Sequence, residues 1–218
     1  MIITIDGPAA AGKGTLANKL AQKYGLAYFD TGMVYRAVGL DMILQHFDIS
    51  DESQAEKIAQ NMTFSHMIEL SKHPDFRSNI GGEAASKVAA MPKVRLALLK
   101  MQQDFALDPE FADGIKAKGV VYDGRDTGTT ICPNADIKFF ITASPEVRAT
   151  RRHKEFLSKG INISFEEVLS QTRIRDERDS SRSSSPMTIA EGAIIIDTSD
   201  LDIDQVFEQV CNTVNSKI

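Results

Sequence analysis

Residues 7–15 read Gly-Pro-Ala-Ala-Ala-Gly-Lys-Gly-Thr, and their types and spacing suit the grip of a polyphosphate. Gly7 and Gly12 let the backbone curl closely, so that several N–H groups turn toward anionic oxygens at the start of a helix. Pro8, Ala9, Ala10 and Ala11 fill the interior of that loop. Lys13 adds a mobile point charge for β- and γ-phosphates, and the Thr15 hydroxyl can complete a magnesium shell. The strict pattern has Ser or Thr directly after the lysine; here Gly14 intervenes. A second carboxylate is expected at the end of a neighbouring apolar strand, holding magnesium or its waters, and Asp123 after Val120-Val121-Tyr122 fits. Arg175, Arg178, Asp179 and Arg182 fall at i, i+3, i+4 and i+7, which places them on one helix face. Three guanidiniums beside a single Asp cannot all be neutralised there, an arrangement suited to a lid that brings charge over transferring phosphates. The ordinary alternatives are a glycine turn, an Asp-Gly turn and a solvated helix laced with ion pairs.

The elements that must position these residues alternate between strand and helix. Ile2, Ile3 and Ile5 give a buried-strand pattern ahead of the loop, and Leu16, Ala17, Leu20, Ala21 and Tyr24 give helical spacing after it, ended by Gly25. Leu26–Phe29 reads as a second strand and Met33–Leu44 as a helix. Residues 48–80 read as polar and irregular, with a small hairpin from Met62-Thr63-Phe64 and Met67–Leu70. Helical patterning returns at 81–91 and 93–107, hinged at Pro92. Gly119–Tyr122, Ile137–Ile141 and Ala193–Ile196 read as further buried strands. Helices are expected after Ser144-Pro145, from a Ser164/Glu167 capping box to about Ser181, and over Leu201–Val214. Such alternation predicts an α/β fold with a parallel sheet covered on both faces.

Composition narrows the function classes. The chain has 218 residues, enough for one domain with sub-lobes, and 42% hydrophobic content is ample for a core. A net charge of −5 argues against a protein that coats nucleic acid. Seven of the eleven arginines nonetheless lie between Arg148 and Arg182, which points to a local anion site. Cys132 and Cys211 are too few for a disulfide framework. With no basic leader and no 18-residue apolar run, secretion and membrane spanning are not expected, and the cytoplasm is the expected location.

Several function classes share parts of this pattern. Asp30-Thr31-Gly32 and Asp126-Thr127-Gly128 spell the aspartic-protease triplet twice, but that fold is all-β and each triplet here sits amid α/β patterning. A nucleotide-hydrolysing switch shares the phosphate loop, and so does a kinase acting on UMP, AMP or a sugar acid.

The whole chain resembles bacterial cytidylate (CMP) kinases. The matching stretches are Gly7-Pro8…Gly12-Lys13-Gly14-Thr15, Asp30–Arg36, Ser86-Lys87-Val88-Ala89 and Pro92-Lys93-Val94-Arg95. They continue with Asp123-Gly124-Arg125-Asp126-Thr127-Gly128-Thr129 and with the Arg175…Arg178-Asp179…Arg182 helix. The resemblance implies a three-layer P-loop kinase fold with a central parallel sheet, a small monophosphate-binding lobe and a helical lid. It implies one kinase domain, with core 1–47, 86–150 and 185–218, a lobe at about 48–85 and a lid at about 151–184. ATP would phosphorylate CMP or dCMP with Mg²⁺ bound at Thr15 and, through water, at Asp123. Lys13, Asp123, Arg125, Arg178 and Arg182 would carry the catalysis. Thr31, Arg36, Arg125 and Arg182 would hold the CMP phosphate; Ser86, Arg95 and Asp126 would read the cytosine edge; Arg175 and Asp179 would meet the ribose. The expected partners are ATP and CMP or dCMP, without nucleic acid or membrane, and the expected state is a monomer. Thr31 stands where relatives usually have Ser, and Gly81-Gly82 stands where helix formers are expected.

Overall fold

The computed structural model describes residues 1–111 and 113–217. They divide into two compact units, the first made of Met1–Phe29 and the chain from Asp108 onward, the second of Asp30–Leu107.

The first unit is built on a five-stranded sheet. Its strands are β1 (Ile2–Asp6), β2 (Ala27–Asp30), β3 (Val120–Gly124), β4 (Ile137–Thr142) and β5 (Ile194–Asp197), in the order β2-β3-β1-β4-β5. β1 runs parallel to both β3 and β4, and β5 runs parallel to β4. Because Ile5 is in register with Asp123 and Asp6 with Gly124, the loops after β1 and β3 leave from neighbouring strand ends. That is where α/β sheets gather their ligands. Helices α1 (Lys13–Tyr24), α7 (Pro145–Ser158), α8 (Phe165–Ser181) and α9 (Ile203–Asn215) belong to this unit, and the helices numbered between them belong to the second.

Apolar periodicity explains how these elements pack. Leu16, Ala17, Leu20 and Ala21 of α1 bury against Ile3, Ile5, Val121 and Phe139 of the strands and Val206, Val210 and Val214 of α9. Asp202 and Gln205 form a complete capping box at the start of α9, which sequence reading did not anticipate. The expected Ser164 cap of α8 is present, its hydroxyl accepting from the Glu167 amide at 3.1 Å. β5 departs from the buried-strand expectation, since Ile194 and Ile195 are 38% and 55% exposed and Ile196 is buried. At the edge of the sheet a strand has a neighbour on one side only and loses cover that central strands receive.

The second unit is helical. It comprises α2 (Thr31–Leu44), α3 (Glu52–Gln60), α4 (Phe64–Leu70), α5 (Asn79–Val88) and α6 (Pro92–Leu107), with a 3-10 turn at Pro74–Arg77. The region read as irregular with a hairpin is therefore helical, and the hairpin does not form. Polar residues of this stretch serve as caps, and a proline as a helix start. Asp51 accepts from the Ser53 and Gln54 amides, Thr63 from the His66 amide and His73 from the Asp75 amide, and Pro74 takes a first-turn position. Gly81 and Gly82 lie inside α5, because Gly81 sits directly against the carbonyls of Asp75 and Phe76 where a side chain would collide.

α2 and α5 meet through small residues. A β-carbon added at Gly39 would stand 2.9 Å from both the carbonyl carbon and the Cβ of Ala84. Gly39→Ala gains up to about 1 kcal/mol of helix propensity. Overpacking costs roughly 1–3 kcal/mol, because the contact is with backbone and cannot be relieved by a rotamer change. A lowered Tm is therefore expected, and an unchanged or raised Tm would show that the two helices can part freely.

Candidate active site

The loop after β1 has the strained geometry that a phosphate cradle needs. Gly7 has φ 141°, and a side chain there would run into the Ile141 carbonyl of β4. Ala10 and Gly12 have φ 60° and 92°, and Gly12 caps α1. Lys13, Gly14 and Thr15 form the first turn of α1, where backbone N–H groups have no helical partner. Pro8 and Ala11 are buried, Ala9 and Ala10 half-buried, and Thr15 exposed.

Lys13 is buried, and its ammonium donates to the Pro8 carbonyl at 2.8 Å and lies 3.9 Å from Asp123 Oδ1. Burial and the Arg125 guanidinium push this ammonium down, to about 7, against the opposing pull of Asp123 and Asp6. The other carboxylate oxygen of Asp123 lies 3.5 Å from the Tyr28 hydroxyl. The departure at Gly14 has a steric reason, since a β-carbon there would stand 3.1 Å from Asp123 Oδ2 and 3.5 Å from the Tyr28 hydroxyl. Glycine lets the carboxylate come up against the first turn of the helix, and the hydroxyl moves on to Thr15.

Asp6, at the end of β1, is a positioning residue that sequence reading missed. It is buried and accepts from the Thr127 amide at 2.8 Å, the Thr127 hydroxyl at 2.9 Å and the Gly128 amide at 2.7 Å. These bonds fasten the loop after β3 to the strand that launches the phosphate loop. Burial raises the Asp6 pKa despite the hydrogen bonds that favour the carboxylate. A carboxylate immediately before Gly7 was the available signal.

Arg125, Asp126 and α8 form one ionic network. Arg125 Nε donates to Asp179 Oδ2 at 3.0 Å, and Arg175 Nε lies 4.0 Å from the same oxygen. Burial would lower the Arg125 pKa, but Asp179 and Asp123 outweigh it and the net shift is upward. Burial would raise Asp179, yet Arg125 and Arg175 hold it below the usual carboxylate range. Arg182, the cap residue ending α8, places a terminal nitrogen 3.5 Å from Asp126 Oδ1 and donates through Nε to the Ser185 carbonyl at 2.6 Å. The expectation of three guanidiniums beside one carboxylate is thus corrected, because the loop after β3 supplies Asp126 as a second. Arg178 lies half-buried between them on α8.

The second unit holds the remaining predicted residues. Thr31 is buried at the first position of α2, whose cap Asp30 accepts from the Gly32 amide at 2.9 Å. Arg36 donates to the Phe76 carbonyl at 3.0 Å, and Gly82 leaves open the space beside its guanidinium. Arg95 is buried, stacks 5.2 Å from the Tyr35 ring centre and donates to the Ala89 carbonyl at 3.2 Å. Ser86 is half-buried on α5.

A sequence profile for the family described as Cytidylate kinase matches residues 3–216. The chain is 46% identical to a cytidylate kinase of Paramagnetospirillum magneticum, over 99% of this chain and 98% of that one. It is also 46% identical to a cytidylate kinase of Xanthobacter autotrophicus, over 100% and 98%. Among solved structures, a shikimate kinase from Bacteroides thetaiotaomicron superposes with a TM-score of 0.50 at 13% identity, covering 99% and 98%, a likeness of fold alone.

The depressed Lys13 ammonium yields a sign that calorimetry can read. Phosphate oxygens placed beside it favour the charged form, so the lysine must take up a proton when a polyphosphate binds above pH 7. ATP binding at pH 8 should therefore show proton uptake, seen as a heat that varies with buffer ionisation enthalpy. The uptake should disappear in Lys13→Met. Equal heats in all buffers for the native protein would mean that Lys13 is already charged.

Proposed function

From the premise that the chain belongs to the cytidylate kinase family, we propose that the residues gathered around Lys13 and Asp123 transfer the γ-phosphoryl group of ATP to CMP or dCMP. The observation that carries this reading is the approach of Asp123 to Lys13 at the mouth of the phosphate loop, with Arg125, Arg175 and Arg182 held close by in the first unit. Phosphoryl transfer asks for little covalent chemistry, and positioning with charge neutralisation does most of the work.

The loop amides of residues 7–15 and the Lys13 ammonium would cradle the donor phosphates. A divalent ion fits the donor set, because the Thr15 hydroxyl and the Asp123 carboxylate are hard oxygen ligands and Gly14 leaves Asp123 room to approach. Among the described residues no three His, Cys, Asp or Glu side chains could hold a metal by themselves. Bound there, Mg²⁺ would offset the charge of the transferring group. Arg125, Arg178 and Arg182 would stabilise the transition state, and a phosphate oxygen of CMP would attack in line without a dedicated base.

For the acceptor, Thr31 and Arg36 with Arg125 and Arg182 are proposed to hold the phosphate. Ser86, Arg95 and Asp126 would read the cytosine edge, and Arg175 and Asp179 would meet the ribose. A core of 1–47, 86–150 and 185–218, a lobe at about 48–85 and a lid at about 151–184 fit this division of labour, the lid excluding water from the reaction. Among the described residues no helix is long and apolar enough to cross a membrane. A monomer working in the cytoplasm completes the proposal.

A panel of CMP, dCMP, UMP, AMP and small sugar acids, each given with ATP and Mg²⁺, tests the reading directly. ADP should form fastest with CMP or dCMP. ADP formation without any acceptor would instead identify a hydrolysing switch.

Base choice can be tested at Asp126. Cytosine presents an amino donor where uracil presents a carbonyl, so an ionised carboxylate suits the first and repels the second. Sites that pair buried polar groups discriminate by up to about 10⁴–10⁵. Asp126→Asn gives an amide that can turn its NH₂ toward uracil. kcat/KM should fall for CMP and fall less, or rise, for UMP. An unchanged CMP-to-UMP ratio in a folded variant rules out base reading by this residue.

A further inference from the structure

We propose that Arg148 is a positioning residue for phosphoryl transfer, whose guanidinium fixes the phosphate loop and α8 in register with one another. The proposal rests on the roles given above to the phosphate loop and to the arginines of α8.

Arg148 lies in the second half-turn of α7 and is almost wholly buried, its side chain 4% exposed. Its planar head offers five N–H donors in a rigid fork, and they reach three separate segments. Nε donates to the Ala143 carbonyl at 2.9 Å, at the junction of β4 and α7. One terminal nitrogen donates to the Ala9 carbonyl inside the phosphate loop at 3.3 Å and to Asp176 Oδ1 at 2.9 Å. The other donates to Asp176 Oδ2 at 2.6 Å, which completes a bidentate pair with α8.

Mere adhesion between α7 and α8 does not call for this device. Ala149 and Phe156 already pack against Val168 in an apolar cluster, and an exposed pair of Arg173 with Glu146 bridges the same helices. A buried ion pair is often no more stabilising than apolar residues of the same volume. An apolar contact cannot aim a backbone carbonyl, however, and it cannot fix a helix in rotation through two parallel hydrogen bonds. Arg148 does both at once. The Ala9 carbonyl it holds precedes Ala10, whose positive φ shapes the loop. The Asp176 it holds is flanked by Arg175 and lies one turn before Asp179, which pairs with Arg125. A shift of Asp176 along or around the helix therefore moves Arg175, Arg178 and Asp179 with it. Misplacing such groups by about 1 Å can cost on the order of 10²-fold in rate.

The test uses Asp176→Asn, Arg148→Lys and the double variant in the full-length protein. Asp176→Asn keeps the shape of the side chain and leaves Arg148 its two carbonyl partners, so it serves if Arg148→Lys does not fold. Each single variant should lower kcat roughly 10–100-fold, with KM for CMP changed much less. The double variant should be no slower than the slower single, because both break one link. Amide exchange in nucleotide-free protein should quicken at residues 9–12 and 174–179 and stay unchanged in α9. A lowered Tm with wild-type kcat in Asp176→Asn would make the pair structural only, and additive losses in the double variant would dissolve the link. Lys13→Met run in parallel separates the two levels. If that variant also keeps wild-type kcat, the reading of the site has failed, and the exchange data still decide whether Arg148 holds loop and helix together.

Discussion

Much of the first unit is arranged around the cost of keeping cations buried beside one another. Lys13 is buried near Arg125, and Arg125 shares its carboxylate with Arg175. Isolated charges of this kind would not survive burial, so carboxylates must be brought to them from several parts of the chain. Asp123 arrives at the end of β3, Asp126 in the loop that follows, and Asp176 and Asp179 from α8. The parallel register of β1 with β3 puts the first two within reach, and Asp6 then fastens the Asp126 loop in place. Sheet topology here does electrostatic work. The site that results is rich in positive charge and already folded around the place where negative charge would come to lie.

Legibility from sequence followed distance along the chain. The phosphate loop, Asp123 after its apolar strand and the arginine face of α8 were readable because each is local, set by a fixed spacing within one or two elements. The partners that neutralise the arginines were not. Arg182 with Asp126 and Arg148 with Asp176 join distant segments, and nothing in helical or strand periodicity couples such positions. Asp6 and Tyr28 were hidden for a related reason, since their value lies in which neighbour the sheet places beside them.

In the second unit the misreading was of a different kind. Asp51, Thr63, His73 and Ser78 are poor residues for a helix interior, and clustered at short intervals they resemble a loop. They are the starts of short helices and turns, each accepting from an amide that the new element would otherwise leave without a partner. Gly81 misleads in the same way, because helix propensity counts against it while close packing on the carbonyls of Asp75 and Phe76 requires it.

Gly14 also bears on how such a loop can change over generations. The strict phosphate-loop pattern carries a hydroxyl residue at this position, a small step in side-chain size, yet a β-carbon there presses on the Asp123 carboxylate. Neither position is free to drift alone. A side chain at 14 asks the carboxylate at 123 to give way slightly, and that movement loosens its approach to Lys13, which Asp6 also supports. Residues 14 and 123 therefore constrain one another, so that a change in side-chain size at one is felt as a change of charge placement at the other.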